Sequence, residues 1–380
     1  MKRIYAIVGV ILLALLCWLL AGREKLSPSS RPISNDGSPK RSTSAFFKRP
    51  ALGNRLDITP QWPRSTFQPV GKLLADSSVE ERMKLNDFLL AQTSEHLFEL
   101  WQEEALRNQD ELRLDFISSA LTFQLRGGVG NSEQVLTQVA EYIRDASRTI
   151  YFRWHLTEML GDMATPPALE ILLTLARAAD DGIQPSVLRQ IVRVADNRWD
   201  GNFREELSPL LERAWVADAK TESLTTALAI AIAKAGTPEG VRLLVGTILG
   251  AGKSVAEFEA SNNAEAWLAF DALPEISNPH AVPLLEAHLK AGQLGGVEMI
   301  AAGHALSSMG VRQATEAILQ WAQQQSADVG GYIHEWLSIM RDTSSVELVT
   351  NFAATAPFAN PRNGEQVRST LAEWKAHRLN

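Results

Sequence analysis

Residues 232–248 read IAKAGTPEGVRLLVGTI, and the break in the middle of this stretch decides the fold. Up to Ala235 the chain is apolar or small, and Gly236, without a Cβ, is a helix stop. Thr237-Pro238 then sets an N-cap hydroxyl before a ring that already holds the helical φ. Val241, Leu244, Val245 and Ile248 follow at spacings of three and four, so they share one face of a second helix. Two helices joined by so short a turn form a pair.

The same grammar recurs along the chain. Thr165-Pro166 and Asn278-Pro279 are further starts of this kind, and comparable caps stand at Thr93, Asn131, Asn202, Gly310 and Asp342. Along 93, 131, 165, 202, 237, 278, 310 and 342 the intervals run from 32 to 41 residues. Apolar residues keep their offsets: Leu169, Leu172 and Leu173 after Thr165, Val282, Leu285 and Leu289 after Asn278, Ala314, Ala317, Ile318 and Trp321 after Gly310. The helices between carry their own stripes, such as Leu224, Leu228, Ile230 and Ile232. One pair cannot bury both stripes alone, so neighbouring pairs must stack. The expectation is an all-α chain forming a right-handed α-solenoid of about eight helix pairs over residues 77–355. The tail 360–380, opening on Asn360-Pro361 with Val367, Leu371 and Trp374 on one stripe, is expected to cap the last pair.

In LGDMATPPALEILLTLA (160–176), IAKAGTPEGVRLLVGTI (232–248) and LSSMGVRQATEAILQWA (306–322) the chain resembles the HEAT-like family of helical repeats. That pattern is loose, and the resemblance implies a fold rather than an activity. Tetratricopeptide repeats share the length, but their Trp-Leu-Gly-Tyr pattern is missing and these intervals vary too widely. Two unrelated helical bundles remain the competing architecture.

The first 50 residues differ from the rest in charge. They hold 9 Lys and Arg against 2 Asp and Glu, whereas residues 51–380 hold 28 against 42. The acidic body gains nothing from counterion release on a phosphate backbone, which argues against nucleic acid as a partner. After Lys2 and Arg3 an unbroken apolar run covers residues 4–22 and ends at Arg23. Nineteen helical residues reach about 28 Å, close to a hydrocarbon core. Leu20 and Gly22 make a poor small-x-small cleavage site, and Leu16 before Cys17 departs from a lipidation signal. Residues 4–22 are therefore read as an uncleaved transmembrane signal anchor in the lipid bilayer. Residues 23–57, rich in Ser, Pro and basic side chains, lack an apolar period and are read as a flexible tether. The two-residue N-terminal tail places the body outside the cytoplasm of a single-pass inner-membrane protein, in a periplasm-like space.

One HEAT-like enzyme family, the deoxyhypusine hydroxylases, holds two irons on paired His-Glu dipeptides; here His334-Glu335 is the sole His-Glu. His155-x-x-Glu158 supplies two metal ligands at most. Asp196, Asp200 and Gly201 fit places one, five and six of a calcium loop, but Arg198 and Leu207 occupy ligand places three and twelve. Gly250-Ala251-Gly252-Lys253-Ser254 ends like a phosphate loop yet follows a helix, and Thr247 stands where the first Gly belongs. Helix stops account for it and for Gly127-Gly128-Val129-Gly130. No catalytic constellation, metal site or cofactor site is expected.

Aromatic residues and Arg anchor protein interfaces, which singles out Tyr151, Arg153, Trp154 and His155 at the opening of one helix and Trp199 with Phe203 in the longest turn. The competing reading of the first group puts Phe152 and Leu156 in the core, with Arg153 and His155 in solvent. The functional expectation is a membrane-anchored scaffold or assembly factor of a cell-envelope complex, binding a protein or peptide along the groove of the second helices. The alternative is an envelope enzyme that attacks glycan or lipid with groove carboxylates. Clustered carboxylates of raised pKa would favour the enzyme.

Overall fold

The computed structural model describes residues 74–378, apart from 108–109, 129–130, 179–181, 197–203, 218–220, 341–343 and 356. The expected anchor 4–22 and tether 23–57 lie outside the described residues. Among the described residues no helix is long and apolar enough to cross a membrane.

The described chain is helical throughout, without a strand; one isolated bridge joins Ser254 to Gly296. Its α-helices are α1 (Val79–Leu90), α2 (Ser94–Arg107), α3 (Glu111–Arg126), α4 (Ser132–Arg144), α5 (Ile150–Met163), α6 (Pro166–Ala178), α7 (Gln184–Ala195), α8 (Ser208–Val216) and α9 (Glu222–Ala235). They continue with α10 (Pro238–Ala251), α11 (Val255–Ala260), α12 (Ala264–Ala272), α13 (Val282–Ala291), α14 (Val297–Ser308), α15 (Arg312–Gln324), α16 (Gly330–Ile339), α17 (Ser344–Thr355) and α18 (Pro361–Arg378).

Packing sorts these into two rows. In the first row, α1, α3, α5, α7, α9, α12, α14, α16 and α18 each lie on the next, α12 reaching α14 through the 3-10 turn Leu273–Glu275. In the second row, α2, α4, α6, α8, α10, α13, α15 and α17 do the same. Contacts such as α2 with α3, α6 with α7 and α13 with α14 lock the rows together. This is a repeat-like, all-helical arrangement in which helices meet neighbours about one repeat away.

The second-row helices start within a few residues of the expected caps. At Thr237 the hydroxyl accepts the Gly240 amide at 3.2 Å and lies 2.6 Å from Ser208 Oγ. Asn278 is buried; its Nδ2 donates to the Ala235 carbonyl at 3.2 Å, so the cap of α13's leading 3-10 turn also closes the end of α9. Before α8 the Asn202 cap lies outside the described residues, and the 3-10 turn Glu205–Leu207 leads into the helix instead.

The stripes fill the core as expected: Leu169, Leu172, Leu173, Val241, Leu244, Val245 and Ile248 are all buried. The first-row helices α9 and α14 bury most of their side chains, hence their small residues. At Gly303 a Cβ would stand 2.1 Å from the Trp336 indole, so the glycine is what admits that buried ring. At the C-terminal end, α18 packs on α15, α16 and α17 with Val367 and Leu371 buried, and Arg362, Glu365, Arg368 and Glu373 are exposed.

Candidate functional site

Helix α5 carries the aromatic opening singled out above. Phe152 and Leu156 are buried, as the core reading had it. Arg153, expected in solvent, is buried too: its Nε donates to the Ile143 carbonyl at 2.7 Å and ties α5 to the end of α4, so it is withdrawn from any docking surface. Trp154 Nε1 donates to the Gly182 carbonyl at 2.9 Å, which commits the indole to the turn before α7. His155 Nε2 is 3.0 Å from Asp115 Oδ1, and its Nδ1 is 3.4 Å from Ser118 Oγ, both on α3. Tyr151 packs edge-on against Phe152, and burial, with Glu111 and Asp115 nearby, raises its hydroxyl pKa above the usual range. Trp199 and Phe203 lie outside the described residues.

One turn further along α5 stand two carboxylates. Burial pushes the pKa of both Glu158 and Asp162 up, and arginines of α7 oppose it. Arg189 Nη2 is 3.5 Å from Glu158 and Arg193 Nη2 is 2.5 Å from Asp162. From the other side, Arg126 of α3 donates to the backbone carbonyls of Asp162 and Met163, the latter at 2.7 Å. The row of polar contacts continues at Lys234, whose Nζ meets Asp196 at 2.6 Å and Glu275 at 3.6 Å. Next comes His304 Nε2, 3.4 Å from Glu335 Oε1. Partners in these pairs lie about one repeat apart in sequence, so each pair stitches one first-row helix to the next.

The second row offers a different surface. A depression of about 590 Å³ lies between α8 and α10, lined by Pro209, Glu212, Arg213, Val216, Glu239, Arg242 and Leu243. Val216 is 70% exposed. With Pro209 and Leu243 it supplies apolar surface, and Glu212, Arg213, Glu239 and Arg242 add charge. Arg242 Nη1 is 2.8 Å from Glu239, and Arg213 Nη2 is 3.9 Å from Glu170 of α6. The depression thus joins apolar area to charged side chains at its edge. The sequence did hold a signal for it: in LLERAWV (210–216) Leu210, Leu211, Ala214 and Trp215 fill the buried stripe, which leaves Val216 off it.

The remaining motifs resolve as turns and ties. His334 and Glu335 point to different partners, His334 Nδ1 being 3.3 Å from Thr370 Oγ1. Asp196 accepts from Lys234, and residues 197–203 of the calcium-like loop lie outside the described residues. Ser254 is the N-cap of α11 in a reciprocal capping box with Glu257, and Gly250 and Ala251 close α10. Among the described residues no group of three or more His, Cys, Asp and Glu side chains is placed to hold a metal ion.

The fold is thus an all-helical, repeat-like arrangement. No family model matches the chain, and no curated protein matches it. Among solved structures, human deoxyhypusine hydroxylase in complex with glycerol aligns at 13% identity with a TM-score of 0.25, over 76% of this chain and 99% of that one.

Proposed function

We propose that the chain is a HEAT-like, right-handed α-solenoid of about eight pairs, capped by α18, that binds another protein or a peptide segment along its second-helix row. Residues 4–22 would hold it in the inner membrane with the repeats outside the cytoplasm. The observation that carries the binding role is the depression between α8 and α10, where Val216 is 70% exposed among four charged side chains. Repeat stacks present extended surfaces of this kind.

The reading is tested by photo-crosslinking in intact cells from position 216, with position 338 on the exposed side of the first-row helix α16 as control. A defined crosslinked species from 216, lost when Arg242 is replaced by Glu, supports the role. An unreactive groove sinks it. Reporter fusions after residue 60 test the orientation separately.

An envelope enzyme using carboxylates is the second reading, and Glu158 with Asp162, both of raised pKa and one turn apart, are the observation in its favour. Each lies within 4 Å of an arginine, which leaves little charge for catalysis and sets this reading second.

A further inference from the structure

The two ends of the repeat stack are finished differently. At the C-terminal end α18 turns charged and small polar side chains outward. At the N-terminal end α1 lies on α3, α2 lies on α3 and α4, and the 3-10 turn Leu74–Asp76 packs on α3, its Leu74 amide donating to Asp110 Oδ2 at 2.7 Å; no α-helix precedes α1 among the described residues. Terminal repeats without a polar outer face leave apolar surface in water. Helix α1 packs through the side that carries Leu85 and the buried Leu89. Val79, Met83 and Leu90, within about 40° of one another around the helix, stay 63%, 62% and 39% exposed. On α2 the exposed face holds His96, Glu99, Glu103 and Leu106, the last 68% exposed.

This same end is the acidic one. Residues 74–115 hold 11 Asp and Glu against 4 Lys and Arg, while residues 116–380 hold 30 against 21. The excess is 7 negative charges in 42 residues, against 9 in the next 265, and Glu80, Glu81 and Asp87 of this set are exposed on α1 itself. That combination selects among occupants. A second copy of this end would set like charge against like, and an anionic lipid surface or nucleic acid would be repelled. A segment with Leu- or Phe-sized side chains flanked by Lys and Arg gains both from burial and from charge.

We propose that the exposed face of α1 bearing Val79, Met83 and Leu90 docks a basic, amphipathic segment of another protein. It is a surface separate from the depression between α8 and α10, so the two readings fail independently. The test uses the full chain in nanodiscs of zwitterionic lipid and a labelled 18-residue peptide of Leu and Lys, with Leu at helical spacing. The expected result is saturable binding that weakens with salt, falls at least tenfold in the double variant Met83→Glu/Leu90→Glu, and is unchanged in Val216→Glu. Both altered side chains in the double variant are exposed, so its helicity should match the parent and the loss would read binding. A matched Leu and Glu peptide should not bind. Absent binding, binding indifferent to the double variant, or equal binding of the acidic peptide overturns the proposal. So does a tenfold gain on deleting residues 46–56, FFKRPALGNRL, which would make this chain's own basic segment the occupant.

Discussion

Lys234 Nζ lies 2.6 Å from Asp196 Oδ2, with the lysine side chain only 8% exposed and Glu275 completing the group at 3.6 Å. Helix α9 thereby holds the end of α7 on one side and the turn after α12 on the other. Removing one member of such a group strands the opposite charge in a low-dielectric site, at a cost of about 3–5 kcal/mol. Lys234→Ala is expected to lower stability by about 3 kcal/mol in urea unfolding, whereas Lys84→Ala, which breaks the exposed pair with Glu80, should leave the midpoint in place. Equal midpoints for Lys234→Ala and the parent would show the group to be idle.

This contact also shows where sequence reading stops. The starts at Thr165, Thr237 and Asn278 were legible because a cap and a proline are local signals, and the Leu and Val stripes because three-and-four spacing is local too. Lys234 and Asp196 are 38 residues apart, and His155 and Asp115 are 40 apart; only the repeat geometry brings either pair together. Arg153 was misplaced for a different reason: its Nε donates to a backbone carbonyl at the end of the preceding helix, ten residues back, and a backbone acceptor leaves no mark in the sequence. The Ser254-x-x-Glu257 box was a local signal for α11, overshadowed by the Gly-Lys-Ser beside it.

Two glycines of similar helical setting should respond in opposite ways. In α10, Gly246 has open space where a Cβ would go, so Gly246→Ala gains helix propensity and should stabilise by about 0.5–1 kcal/mol. In α14, Gly303→Ala gains the same propensity but drives a methyl to 2.1 Å from the buried Trp336 ring. Overpacking of this kind costs about 1–3 kcal/mol, so a net loss is expected. Thermal unfolding of the two variants beside the parent decides it, and a stabilised Gly303→Ala would mean that the indole has room to retreat.

His304 should make the fold sensitive to mild acid. Burial lowers its pKa from 6.5 to about 4. The folded state therefore binds the proton less readily than the unfolded one. Stability attributable to this residue is intact above pH 6.5 and is lost as pH falls toward 4, by up to on the order of 3 kcal/mol. Urea titrations at pH 7 and pH 4.5 should show a smaller drop for His304→Gln than for the parent. An identical drop would assign the acid sensitivity to other groups.

Asn363 connects the C-terminal cap to the pair it covers, and its chemistry allows a sharp test. The side chain is fully buried; its Oδ1 accepts the Val329 amide at 2.9 Å, and its Nδ2 donates to the carbonyls of Gln325 and Ala327 at 3.2 and 3.0 Å. Both ends of the amide are thus used to hold the turn between α15 and α16 against α18. Asn363→Ala leaves one buried donor and two carbonyls unpaired, a loss of about 1–3 kcal/mol per buried group left without a partner. Asn363→Asp keeps an acceptor for Val329 but faces a carboxylate toward two carbonyl oxygens, so it should fare no better than alanine. The distinctive readout is hydrogen exchange: protection of the Val329 amide should fall in Asn363→Ala, while the cap amides of α10 at Gly240 stay protected. Protection at Val329 that survives in the alanine variant would mean that the turn stands without the cap, and that α18 covers the last pair by its apolar stripe alone.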